Sequence, residues 1–188
     1  MHAGLTDRDN QWVMHEKQKS KYTVRSSNNN KYMSVYTLKR VQRLPVTLDF
    51  AWDYFSNPNN LLEITPSYMQ FKVLSDPDFL QKMYEGQVIT YTVKPILGIP
   101  LFWMTEITHV QDREFFVDEQ RVGPYKLWHH QHHFKAVDGG VEMTDLVHYS
   151  LPLGWLGDFA HFLFVKRQLK GVFDYRWTKL EEVFGRMG

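Results

Sequence analysis

The spacing of apolar positions changes twice along the chain. Residues 34–43, SVYTLKRVQR, alternate: Tyr36, Leu38, Arg40 and Gln42 fall on one face, and Val35, Thr37, Lys39, Val41 and Arg43 on the other. A period of two predicts a strand, although both faces mix residue types. Pro45 ends it. Thr47 then stands as an N-cap before Leu48, Phe50, Ala51, Trp52 and Phe55, a short helix stopped at Asn57-Pro58. NNLLEITP predicts a second short helix closing at Pro66.

From Met69 the period of two returns. MQFKVLS, GQVITYTVKPI, LFWMTEITHV, EFFVDEQRV, KLWHHQHHFKAV and VEMTDLVHYSL read as strands. DPD, Gly98 with Pro100, Asp112-Arg113, Gly123-Pro124 and Asp138-Gly139-Gly140 separate them, the last being the strongest hairpin signal in the chain. After PLGWLG the period lengthens to that of a helix. At about 100° per residue, Phe162, Val165, Leu169, Phe173, Leu180, Phe184 and Met187 share one stripe of a helix over 159–187, with Gly171 in its interior.

One strand, two short helices, a run of six strands and a long helix predict an α+β domain. A curved antiparallel sheet of about seven strands exposes an apolar concave face, and the C-terminal helix is the element able to cover it. Layers that meet at their ends but not throughout leave a cavity. Residues 34–188 form this single domain. Residues 1–33 hold the run KQKSKYTVRSSNNNKY, with few periodic apolar positions, and read as a flexible tail.

Composition narrows the function classes. The chain has 188 residues with 43% hydrophobic and 15% aromatic content, and aromatics build apolar pockets as well as cores. Its 22 basic and 21 acidic residues leave a net charge of +1, which argues against a nucleic-acid footprint. With no cysteine, disulfides and thiolate metal sites are excluded. No run reaches transmembrane length and no secretory signal is evident, so a cytoplasmic protein is expected.

The segments VDEQRVGPYKLWHHQHHF (117–134), TDLVHYSLPLGWLG (144–157) and VFDYRWTKL (172–180), together with the element order, resemble the START/Bet v 1-like (SRPBCC) superfamily, near its polyketide-cyclase and coenzyme-Q-binding branch. The resemblance covers about residues 34–187. It implies the helix-grip fold and a hydrophobic pocket between sheet and helix. It does not imply one activity, because relatives include carriers, sensors, cyclases and hydrolases.

The candidate chemistry centres on WHHQHHF, residues 128–134. Alternation puts Trp128, His130, His132 and Phe134 on one face and His129, Gln131 and His133 on the other, so the four histidines do not form one cluster. The face with Trp128 and Phe134 is the more apolar and is expected inward; His129 and His133 are expected in solvent. Across the hairpin, Met143, Asp145, Val147 and Tyr149 share the inward face. Asp145 inside an apolar pocket needs a partner, and an imidazole is the obvious one. Arg176 falls on the helix stripe between Phe173 and Leu180, where its guanidinium wants Asp118, Asp145 or a ligand anion. Trp103, Thr105 and Ile107 on one strand, and Phe116, Asp118 and Gln120 on the next, are alternative cavity linings. The loops at 98–100, 123–125 and 152–155 are candidates for its mouth, with Trp155 as a gate or anchor.

Three uses remain open for the His–Asp–Tyr groups: a structural network, recognition of a ligand's polar end, or an acid–base pair. His-x-His with Asp145 as third ligand would suit zinc, but no other metal spacing repeats, and no metal or other cofactor is assigned. The leading expectation is binding of a hydrophobic small molecule: a lipid, an isoprenoid quinone or a polyketide-like compound. Trp103, Phe116, Asp118, Trp128, His130, His132, Asp145, Tyr149, Phe173 and Arg176 are the expected ligand-binding residues. The alternative is a cyclase, dehydratase or hydrolase using a His–Asp pair. No catalytic residue and no oligomeric state is assigned.

Overall fold

The computed structural model describes residues 34–187, apart from 77–79, 81, 95–97 and 154. The expected tail, much of the DPD turn, the end of the third expected strand, and Gly154 with the Trp155 side chain lie outside the described residues. Seven strands run in chain order as β1 (Tyr36–Leu44), β2 (Lys72–Val73), β3 (Val88–Val93), β4 (Leu101–Gln111), β5 (Phe115–Val122), β6 (Leu127–Val137) and β7 (Gly140–Ser150). They form one antiparallel sheet in the order β1-β7-β6-β5-β4-β3-β2. Helix α1 (Leu48–Phe55) and two short 3-10 turns, Pro58–Leu62 and Ser67–Met69, follow β1. Helix α2 (Trp155–Ala160), a π turn (His161–Val165) and helix α3 (Lys166–Phe184) close the chain.

Local chemistry explains most boundaries. The Thr47 side chain accepts a hydrogen bond from Phe50 N at 3.2 Å and so starts α1. Val137 pairs with Gly140 across Asp138-Gly139, and Gly139 has φ +79°, a left-handed conformation that glycine adopts without steric cost. Register breaks at Met104/Thr105 and Ile107/His109 interrupt the β4–β5 ladder, the kind of irregularity that bends a sheet.

Two elements depart from expectation. The strand expected over 69–75 shrinks to Lys72–Val73, because Gln70 turns left-handed (φ 42°). The C-terminal helix starts earlier, at Trp155, and is interrupted by the π turn. Val165, Leu169, Phe173 and Leu180 of the expected stripe are buried, but Phe162 is 78% exposed. A π turn holds more residues per turn than an α-helix, so side chains on either side of it do not continue one stripe.

The concave face buries two aromatic-rich clusters. One joins Tyr36, Trp103, Trp128 and Tyr149 to Val165, Leu169 and Phe173 of the last helix. The other packs Trp52 and Phe55 of α1 against Phe116, Phe134 and Leu180. Along β1, Arg40 and Gln42 also point inward: Arg40 pairs with Asp174, and the Gln42 amide donates to the Trp177 carbonyl at 3.0 Å. These contacts hold α3 to the sheet edge while the layers part over β3–β6.

Candidate functional site

Where the layers part lies a cavity of about 260 Å³, just below the usual range for small-molecule pockets. Its walls come from both expected sets, Trp103, Thr105 and Ile107 on β4 and Phe116 and Asp118 on β5. Trp128, His130 and His132 add β6; Val165, Leu169, Phe173 and Arg176 add the C-terminal helix. Of the ten expected ligand-binding residues, eight line the cavity; Asp145 and Tyr149 do not, and Gln120 is likewise outside the wall. Pro124 and Tyr125 bring one of the expected mouth loops to it, and Leu151 lines it just before a second, 152–155.

One end of the cavity is polar, and pairing register builds it. Asp118 lies opposite His130 across β5–β6, and His132 lies opposite Asp145 across β6–β7. The two imidazoles lie with centroids 3.8 Å apart, tilted by 39°, between two carboxylates. His130 Nε2 reaches Asp145 Oδ1 at 2.9 Å, and its Nδ1 lies 3.3 Å from Asp118 Oδ2. His132 Nε2 reaches the same Asp118 oxygen at 2.9 Å. Its Nδ1 is 3.0 Å from Asp145 Oδ1 but out of line, so that buried nitrogen makes no hydrogen bond. Arg176 completes the group, its Nη1 3.3 Å from Asp145 Oδ1. Asp145 therefore sits behind the wall, bonds the cavity-facing His130 and Arg176, and lies close to His132.

The charges support one another. Burial alone would raise the Asp145 pKa, but Arg176 and the two histidines hold it well below the usual carboxylate range. Asp118 behaves alike: burial pushes it up, and His130 and His132 bring it below its ordinary value. Burial would lower the His130 pKa; the two carboxylates overcome this and raise it. Both aspartates are thus anions at neutral pH, and His130 favours its charged form more than a free imidazole does.

Among the described residues, Asp118, His130 and His132 form a group that could hold a metal ion, with one ligand atom from each lying within 4.8 Å of the others. Asp118 replaces Asp145 as the third member of the expected trio. The nitrogens facing Asp118 are turned toward its carboxylate, so a cation would have to displace protons shared with it, in the vicinity of the Arg176 charge.

The outward histidines are half-buried rather than simply solvated. His129 reaches Glu119 at 2.9 Å, and Gln131 bridges His129 and His133 at 3.0 and 2.9 Å. Sequence reasoning missed the cavity's second floor, made by Asn57, Leu61 and Ile64 after α1 and by Tyr91 on β3. The sequence signal for Tyr91 is its period-two alternation with the apolar Ile89 and Val93.

No protein-family model matches the chain, and no curated protein matches it. Solved structures do. A Chromobacterium violaceum protein, CV1439, is 11% identical, with TM-score 0.60, covering 80% of this chain and 98% of its own. The ginseng major latex-like protein 151 from Panax ginseng is 13% identical, with TM-score 0.58 and coverage of 80% and 97%. Ara h 8.0201 is 14% identical, with TM-score 0.52 and coverage of 79% and 99%. The latter two are Bet v 1-like proteins. In strand order, in the short helices after β1 and in the long closing helix, this chain has the Bet v 1-like helix-grip fold.

Proposed function

We propose that the cavity binds a compact apolar molecule carrying a hydroxyl group. The observation that carries this reading is the asymmetry of the wall: mostly aromatic and aliphatic, with a few neutral polar residues, and with the ionisable Asp118, His130, His132 and Arg176 gathered in one cluster. Aromatic walls supply burial, and a few convergent polar groups supply orientation. Asp118 is the accessible acid of the cluster, 16% exposed by its side chain, and is held anionic. An anionic acceptor facing an apolar space favours a donor on the ligand. The volume favours a ring system of polyketide-like size over a long isoprenoid or a diacyl lipid.

Acid–base catalysis is the second reading, motivated by the His–Asp contacts in the wall. Both nitrogens of His130 already face carboxylates, which leaves neither for a substrate without rearrangement. That favours binding over turnover.

Calorimetric titration with 2-naphthol and with 2-methylnaphthalene tests the proposal. Both should bind, the naphthol about tenfold tighter, since a hydrogen bond to a charged group contributes about 1.5–3 kcal/mol. Asp118→Asn should remove the preference. Val172→Trp, which puts an indole into the cavity from α3, should abolish binding of both while the chain stays folded. Absence of saturable binding of either compound refutes the reading.

A further inference from the structure

The chain leaves the cavity wall at Leu151 and rejoins it at Val165. Between them it forms a lip, made of α2 and most of the π turn. Leu153, Leu156, Phe159, Phe162, Leu163 and Phe164 on this lip are all exposed, Leu153 by 71% and Phe162 by 78%. Six large apolar side chains within twelve residues make a patch far beyond the scattered apolar positions of an ordinary surface. The backbone at Leu153 is left-handed, φ 71°, a conformation that glycine or asparagine adopts more cheaply, yet the residue there is a leucine turned to solvent.

Neighbouring elements extend the face. Leu101 packs against the same core cluster as Leu151 and Val165, and the exposed Ile99 stands two residues before it. Basic residues flank it. Lys166 and Arg167 follow the lip directly, and the exposed Lys126 lies beside it, because its amide bonds the Ser150 carbonyl. From Leu151 to Lys170 the sequence carries Lys166, Arg167 and Lys170 against Asp158 as the acid, with Lys170 paired to Asp174 at 2.7 Å.

We propose that this face docks on a lipid bilayer with anionic headgroups. Aromatic and leucine side chains beside lysine and arginine suit the interface between acyl chains and headgroups, where the apolar groups enter and the cations meet lipid phosphate. No helix among the described residues is long and apolar enough to cross a membrane, so the contact is one of a surface lying on the bilayer. Docking would set the lip of the cavity against the acyl layer, so an apolar ligand would enter or leave without crossing water. That delivery role rests on the proposed ligand; the docking face does not.

Vesicle flotation of the full chain tests it, with vesicles of equal parts phosphatidylglycerol and phosphatidylcholine and with phosphatidylcholine alone. The protein should float with the anionic vesicles, more weakly with the neutral ones, and less in high salt. The double variant F162S/F164S should lose at least about tenfold in partitioning, since each ring removes a buried phenyl group from the contact. Both side chains are exposed, so the variant should keep the wild-type unfolding midpoint and its 2-naphthol titration. No flotation of the wild type, or equal flotation of the variant, overturns the proposal. So does a wild-type dimer that the double variant dissolves while neither floats, which would assign the face to a second copy of the chain. Flotation with no naphthol binding would leave the docking face standing and overturn the ligand.

Discussion

Replacing Asp145 by asparagine tests the logic of the buried cluster. Asp145 is 5% exposed and receives His130 Nε2 at 2.9 Å and Arg176 Nη1 at 3.3 Å on one oxygen. Asparagine keeps the shape and removes the charge. Arg176 and His130 then face each other across a neutral amide, with Asp118 left to serve both imidazoles. Breaking a buried ion pair from one side costs about 3–5 kcal/mol, because the partner stays buried and uncompensated. Domains are stable by about 5–15 kcal/mol in all, so the variant should fold at 25 °C but lie much nearer its threshold. At about 2–4 °C per kcal/mol for a chain of this size, the melting temperature should fall by about 6–20 °C. Urea unfolding followed by near-UV circular dichroism reads the cost. The His130 ring-proton titration, followed by NMR, should move to lower pH, since Asp145 is one of the two anions that raise it. Adding Arg176→Met should recover part of the loss, as the uncompensated guanidinium is then gone. A cost under about 1 kcal/mol at Asp145→Asn, or an unmoved His130 titration, would show that the cluster is not held by this carboxylate.

Other outcomes follow from the same structure. The cluster's contribution to stability should be largest near pH 5: Asp118 and Asp145 stabilise above their ordinary value of 3.8 and lose this as pH falls. His130 stabilises below its ordinary 6.5 and loses this as pH rises through its raised value, so urea midpoints should fall on both sides and His130→Gln should flatten the basic limb. Gly171→Ala should stabilise by about 0.5–1 kcal/mol, because an added Cβ would meet nothing nearer than the Tyr68 hydroxyl at 3.9 Å and a helix-interior glycine is entropically costly; thermal melting decides the sign. Gly140→Ala should destabilise in the same assay, because its Cβ would fall 2.1 Å from the Leu44 carbonyl oxygen, and a neutral result would show that β1 can give way there.

Local signals in the sequence determined a great deal. Period-two alternation located five of the seven strands closely, Thr47 started α1, and Asp138-Gly139 set the hairpin. That hairpin in turn settles which residues of β6 and β7 share a face, so the inward placement of His130, His132 and Asp145 follows from local chemistry alone. That Arg176 seeks a carboxylate was legible for a similar reason, a guanidinium on an apolar stripe having few places to go, but the choice of Asp145 over Asp118 or a ligand anion came from the tertiary structure. What depends on distant pairing was not legible. Asp118 joins the histidines only because β5 lies beside β6 in a particular register. Asp145 drops behind the wall because sheet curvature and helix position, not alternation, decide which inward side chains reach the cavity. Phe162 looked like core by its spacing, and the π turn with the lip beyond the sheet put it in solvent. A side chain's face is a property of a few neighbouring residues; whether anything packs against that face is decided by elements a hundred residues away.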